Sequence, residues 1–193
     1  AAAHSAAAVL GVPVFDFSHQ AGHIAAAVWS SGGELFDTDK FLAFHVSGGT
    51  TELLLCDGRD FMCEIIGGTK DLNAGQAIDR IGVMLGLDFP CGPALEKMAD
   101  EYLRTLKSGE KPHNKPEISV DGTECNLSGL ENIAARMKRN GEPDGKTALF
   151  AIDFIRDTLD RMTENALALY PGLPLLYAGG VMSTRRIRGF FEA

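Results

Sequence analysis

The amino-acid sequence predicts an α/β protein centred on a β-meander, and three observations predict it. Apolar runs alternate with turn signals in an order of strands and helices. Residues 41–46, 51–55 and 60–66 read as three successive strands, separated by Ser47-Gly48-Gly49-Thr50 and by Asp57-Gly58, a strong hairpin signal. Residues 73–85 and 93–106 then carry apolar side chains at helical spacing, the second run with Pro93 at its start, where a helix tolerates the missing N–H.

The remaining elements follow in chain order. The Ala-rich run at residues 1–10 lacks the basic flank of a targeting segment and is read as the end of a helix. Residues 12–17 are expected to form a short strand and residues 19–29 an Ala-rich helix. Residues 107–122 are polar and contain Pro112 and Pro116, so they are expected to form a surface excursion. A helix is predicted over residues 127–138, a linker over 140–145, and a long helix over 147–169 with Leu149, Ile152, Phe154, Ile155, Leu159 and Met162 on its apolar face. Residues 173–178 read as a strand, Gly179-Gly180 as a turn, and residues 183–191 as the start of a further helix.

Composition narrows the functional classes. With 193 residues, 45% hydrophobic and 23% charged, the chain has the content of one or two small globular domains. Charged residues, Gly or Pro interrupt every apolar run before it reaches the roughly 18–20 residues a membrane span needs. Cys56, Cys63, Cys91 and Cys125 are dispersed without a C-x-x-C pair, which indicates neither a zinc ribbon nor a disulfide framework and fits a reducing cytoplasm. A net charge of −8 is unlike a protein that grips nucleic acid unaided, so RNA contact would need local patches or a partner. The basic concentrations are Arg136, Lys138, Arg139 and Arg185, Arg186, Arg188, for which solvated helix faces are the ordinary reading.

Four motifs bear chemistry. His19 and His23 stand four residues apart, so on a helix both imidazoles share one face and can reach one metal ion, though such a pair also arises by chance. The hairpin Ser47-Gly48-Gly49-Thr50-Thr51 offers Cβ-free backbone and hydroxyls to an anion, or is a plain tight turn. Behind Gly67-Gly68-Thr69, Asp79 lies in a helix from which its carboxylate can accept ribose hydroxyls, or pair with a cation such as Arg80. Finally, a strand, Gly179-Gly180 and a helix follow one another, an arrangement that directs free N–H groups at a ligand or lets an adenine lie on the backbone. A zincin protease is disfavoured: its H-E-x-x-H motif needs a Glu base after the first His, where this chain has Gln20, an amide that cannot take a proton from water.

In order and local text, these motifs resemble the TsaD (Gcp-like) family, over nearly the whole chain. The matching segments are His19 to His23, Val46-Ser47-Gly48-Gly49-Thr50-Thr51, Gly68-Thr69, Gly75-Gln76-Ala77-Ile78-Asp79-Arg80, Leu85-Gly86-Leu87, Phe89-Pro90-Cys91-Gly92-Pro93, Leu127-Ser128-Gly129-Leu130 and Ala178-Gly179-Gly180-Val181. The resemblance implies an actin-like ATPase fold, of the sugar kinase, Hsp70 and actin superfamily, incomplete at both ends. About residues 1–90 would supply the end of the first subdomain with the meander, and about residues 91–193 the helical part and a closing strand-turn-helix unit.

It implies transfer of a threonylcarbamoyl group from its adenylate to N6 of a tRNA adenosine, in the cytoplasm. One divalent ion, iron or zinc, would be held by His19 and His23, and threonylcarbamoyl adenylate, ATP or AMP would contact His45, Val46, Ser47, Gly48, Gly49, Asp79, Gly92, Glu96 and Thr184. The implied partners are tRNA, TsaB-like and TsaE-like subunits, and a homo- or heterodimer. The family's third metal ligand, an Asp, would fall beyond the last residue. Where the family has His, Glu, Gly and Asn, this chain has Thr50, Gln76, Cys91 and Thr184. Those departures motivate a second expectation, a non-catalytic nucleotide-binding paralogue or scaffold subunit. A metallopeptidase ranks last.

Overall fold

The structure is a computed structural model that describes residues 2–192. The outermost residues of the expected domain, Ala1 and Ala193, lie outside the described residues. In chain order the elements are α1 (Ala2–Leu10), α2 (His19–Ser30), β1 (Lys40–Val46), β2 (Thr51–Asp57), β3 (Cys63–Thr69), α3 (Ala74–Met84), α4 (Gly92–Thr105), β4 (Ser119–Asp121), β5 (Glu124–Asn126), α5 (Ser128–Arg139), α6 (Asp144–Leu169), β6 (Leu175–Ala178) and α7 (Arg185–Phe191). Short 3-10 turns at Glu34–Asp37 and Gly180–Ser183 lead into β1 and α7. The fold class is α/β, as the sequence predicts: one six-stranded sheet in the order β4-β5-β3-β2-β1-β6, with helices against it.

The meander is antiparallel from β1 through β2 to β3, whereas β6 returns parallel to β1, from Leu42↔Leu175 to His45↔Ala178. A parallel neighbour requires a long crossover, and the helices after β3 supply it. From Phe41 to Val46 β1 is buried throughout, because both faces are covered. Alternation sends Phe41 and Ala43 into one cluster with Ile24 and Val28 of α2, and Leu42, Phe44 and Val46 into another with α3 and α6. In α6, a helix of 26 residues, Leu149, Ile152, Ile155, Leu159 and Met162 are buried in that second cluster, because the helix lies among α3, α4, α5 and α7.

Several boundaries differ from the sequence reading. Residues 12–17 form no strand, and Val12, Val14, Phe15 and Phe17 are exposed. An apolar run becomes a strand only where a neighbour supplies a ladder, and among the described residues none pairs with this one. The turn after β2 is longer than Asp57-Gly58: Asp57 accepts from the N–H groups of Arg59 and Asp60, and β3 starts at Cys63. Within the expected surface excursion lie β4 and the start of a small hairpin with β5. Helix α6 begins at Asp144, inside the expected linker.

Candidate functional site

Helix α2 begins where Ser18 accepts a hydrogen bond from the N–H of Ala21 at 3.0 Å, a side-chain cap that fixes the first turn. Ala21, Ile24 and Val28 form its buried stripe, so His19 and His23 in that turn stay exposed. Their Nε2 atoms stand 3.1 Å apart. Two imidazole nitrogens on one tetrahedral zinc, with bonds of ~2.0–2.1 Å, would be about 3.3 Å apart, so the pair fits one edge of a coordination sphere. Without an ion, one ring donates to the other. Among the described residues no group of three or more His, Cys, Asp or Glu side chains forms a ligand set.

Alternation along β1 places His45 on the same face as Phe41 and Ala43, beneath α2. Its ring lies 4.7 Å from that of His23, centroid to centroid, and is 5% exposed. Burial first, then the His23 and His19 rings, lower the His45 pKa below its ordinary value. Its Nδ1 meets the Thr50 hydroxyl at 3.1 Å, and that hydroxyl meets Ser47 Oγ at 2.9 Å. The imidazoles of α2 and the glycine hairpin are therefore linked through His45, a contact that local spacing could not reveal.

Ser47 organises the hairpin between β1 and β2. Its Oγ accepts from the N–H groups of Gly49 and Thr50, so these two donors turn inward and do not form the anion cradle envisaged for the turn. Helix α3 clamps the hairpin from the other side: Gly75 N–H donates to the Ser47 carbonyl, Ala74 N–H to the Thr51 hydroxyl, and the Asn73 amide to the Gly49 carbonyl. The approach requires glycine at position 75, since a Cβ there would come within 2.6 Å of Gly48 N. Gly179 meets the same constraint, with φ 103° and a hypothetical Cβ 2.3 Å from the Val46 carbonyl oxygen.

Between the hairpin, α3, the start of α4 and the Gly180–Ser183 turn lies a cavity of about 210 Å³. Gly48, Asp79, Gly92, Gly180, Val181 and Thr184 are among the residues that line it. Four of the expected contact residues, Gly48, Asp79, Gly92 and Thr184, thus meet around one space. Asp79 accepts the Cys91 N–H at 2.8 Å through Oδ1, holding the start of α4 in place, while Arg80 pairs with Glu131. Glu96 lies outside the lining: it accepts the Arg185 N–H at 2.7 Å and serves the first turn of α7. Val46 is fully buried, and Ser47 and Gly49 shape the hairpin beside the cavity without lining it.

Several of the basic residues expected on solvated helix faces are paired. Arg185 binds Asp100, Arg186 binds Asp153, and Lys138 binds Asp144. Sequence reasoning missed two carboxylates. Asp71 accepts from the Leu127 and Ser128 N–H groups and the Ser128 hydroxyl, tying the end of β3 to α5. Burial opposes its charge, but these bonds prevail and hold its pKa well below the carboxylate range. Asp153, 2% exposed on α6, binds His113, Arg156 and Arg186. An acidic residue on the apolar face of a helical pattern was the available signal for it.

Comparison with known proteins gives this geometry a context. A relative from Streptococcus suis named tRNA N6-adenosine threonylcarbamoyltransferase is 32% identical over 187 residues, covering 92% of this chain and 52% of the relative. One of the same name from Nitrosospira multiformis is 33% identical over 193 residues, covering 95% and 54%. A third, from Streptococcus pneumoniae, is 31% identical over 187 residues, covering 92% and 52%. The chain spans about half the length of the curated relatives it matches. Across residues 1–192 it matches the family described as TsaD, tRNA N6-adenosine threonylcarbamoyltransferase, and it belongs to that family.

Proposed function

We propose that the protein containing this chain transfers a threonylcarbamoyl group from its adenylate to N6 of a tRNA adenosine, within an actin-like fold. The observation that carries the reading is the convergence of Gly48, Asp79, Gly92 and Thr184 on one cavity beside the hairpin that contacts His45. In the reaction the adenosine amine attacks the carbamoyl carbon, AMP leaves, and no covalent bond to the protein is needed. Asp79, with Oδ1 engaged by the α4 backbone, would present its other oxygen to a ribose hydroxyl. Gly48 and Gly180 would let the nucleotide approach the backbone closely, since nothing lies within 4 Å of a Cβ built at either. His19 and His23 would hold the divalent ion, iron or zinc. When bound, that ion supplies Lewis-acid polarisation of the carbamoyl carbonyl.

The TsaB-like and TsaE-like partners, or a second copy, belong to the same proposal. Its support is the group of exposed apolar side chains at Val9, Leu10, Phe15, Phe17 and Trp29 around α1 and α2, on a chain with no described helix long and apolar enough to cross a membrane. The test is to incubate the protein with tRNA, threonylcarbamoyl adenylate and partner subunits, then digest the RNA and quantify threonylcarbamoyladenosine by mass spectrometry. Product that disappears with His23→Ala supports the proposal. Absence of product beside an active control enzyme would overturn it. One observation favours the non-catalytic alternative: the Gly49 and Thr50 donors and Glu96 are already satisfied within the protein. Adenylate binding by calorimetry without product would decide for that reading.

A further inference from the structure

Cys56 and Cys63 are directly opposite one another on β2 and β3. The adjoining ladder bond runs from the Asp57 N–H to the Met62 carbonyl at 2.8 Å, joining the residue after Cys56 to the residue before Cys63. That pattern makes Cys56 and Cys63 a non-hydrogen-bonded pair, the antiparallel position where the strands come closest, with Cα atoms ~4.5 Å apart. A disulfide accepts Cα separations from ~4.4 to ~6.8 Å. At a non-hydrogen-bonded position the two side chains also leave the sheet on one face and toward each other. The separation typical of that ladder position falls within the range a disulfide spans.

The two thiols differ in access. Cys56 is fully buried against Ile24 and Val28 of α2, whereas Cys63 is half-buried at the rim of the same cluster. The neighbouring Cys56 thiol holds Cys63 below its ordinary pKa, against the opposing effect of burial. Cys56 is pushed up, first by its Cys63 neighbour and then by burial. The accessible sulfur is thus the one that ionises first. Cys91 and Cys125 are both fully buried, at the start of α4 and on β5, and neither sits opposite another cysteine in the sheet.

We propose that Cys56 and Cys63 form a reversible oxidation site that reacts with low-molecular-weight disulfides of the glutathione type. The Cys63 thiolate attacks one sulfur of the oxidant, the oxidant's S–S bond breaks, and one small thiol leaves. Cys56 then loses its proton and attacks the Cys63 sulfur, forming the cross-strand bond and releasing the second small thiol. Two protein thiols are oxidised and one small disulfide is reduced to two thiols, which take up both protons. The bridge forms on the sheet face that carries α2, beneath the helix of His19 and His23, so oxidation registers in the floor of that helix.

The experiment is to equilibrate the 193-residue chain with mixtures of oxidised and reduced glutathione, then count free thiols and map linked peptides by mass spectrometry. The expected result is a fall from four free thiols to two, with Cys56 and Cys63 joined and both thiols recovered under excess reduced glutathione. Cys63→Ser, at the half-buried position, is expected to keep its remaining thiols unoxidised, and Cys91→Ser to leave the bridge intact. Four thiols persisting under full oxidant, or a stable glutathione adduct on Cys63 with Cys56 still free, would overturn the proposal. Circular dichroism of Cys63→Ser separates a lost reaction from a lost fold. Neither readout depends on transferase activity, so failure here and failure of the proposed function are distinguishable.

Discussion

Asp79 and Asp71 do different work although both are helix-proximal carboxylates. Asp79 lines the cavity and accepts one backbone N–H, which an amide oxygen can also accept. Asp79→Asn is therefore expected to leave the thermal midpoint nearly unchanged while weakening AMP binding about tenfold or more, as loss of a hydrogen bond to a charged group does; titration calorimetry checks it. Asp71 faces no cavity chemistry and caps the start of α5. Asp71→Ala is expected to lower stability by about 1 kcal/mol, the usual cost of a lost cap, in urea unfolding. The closeness of His19 to His23 and the place of Asp79 on a helix were legible in the sequence because their signals are local: a four-residue spacing and a Gly-rich approach to a helix. The roles of Thr50 and Glu96 were not. Glu96 serves Arg185, 89 residues away, and no local pattern encodes such a contact.

At the scale of elements, the hairpin and α3 behave as one unit, since three hydrogen bonds and a glycine contact hold them together. Gly75→Ala forces a methyl group against Gly48 N and the Ser47 carbonyl carbon. We expect a loss of about 1–3 kcal/mol, the range for overpacking, with nucleotide affinity falling in parallel because the cavity wall shifts. Reversing that substitution should restore both. The meander and the long helices were readable from alternation and period, whose signals accumulate over many residues. The hairpin of β4 and β5 was not, because three-residue strands carry too few positions to alternate and only Cys125 among them is buried. Residues 12–17 erred in the opposite direction: they have strand-like composition, but pairing is a property of the neighbour as well as of the segment.

Across the whole molecule, Asp153 binds two distant parts of the chain to α6 and a third partner within it. It receives His113 from the polar excursion, Arg156 from its own helix and Arg186 from α7. Burial opposes its charge, yet the bonds from His113 and Arg186 and the charges of Arg156 and Arg186 hold its pKa at about 2. Its contribution is present above the ordinary carboxylate pKa of ~3.9 and is lost as pH falls through that lowered value. For His113 burial again opposes the charge, and the Asp153 and Asn114 bonds raise the pKa above ordinary. Its contribution is complete below the ordinary imidazole pKa of ~6.5 and is lost as pH rises through the raised one. Stability from this cluster should therefore be greatest between about pH 4 and 6.5. Denaturant midpoints are expected to decline on the alkaline side, and His113→Gln to flatten that decline. Asp153→Ala strands buried cations and is expected to cost about 3–5 kcal/mol.

The ladder between β2 and β3 is interrupted once, between Leu53 and Leu54, where Leu53 faces Gly67 but Leu54 faces Ile65. Had the first alignment run on unbroken, Glu64 would stand against Cys56 and an ionisable carboxylate would crowd a sealed sulfur. The spare residue, Ile66, acts as a vernier. It lets the glycine-lined end of the strands keep one alignment for the site while the far end keeps another that brings two sulfurs face to face. Excising Ile66 should consequently straighten the ribbon while leaving cysteine opposite cysteine, an outcome that peptide mapping after oxidation would read directly.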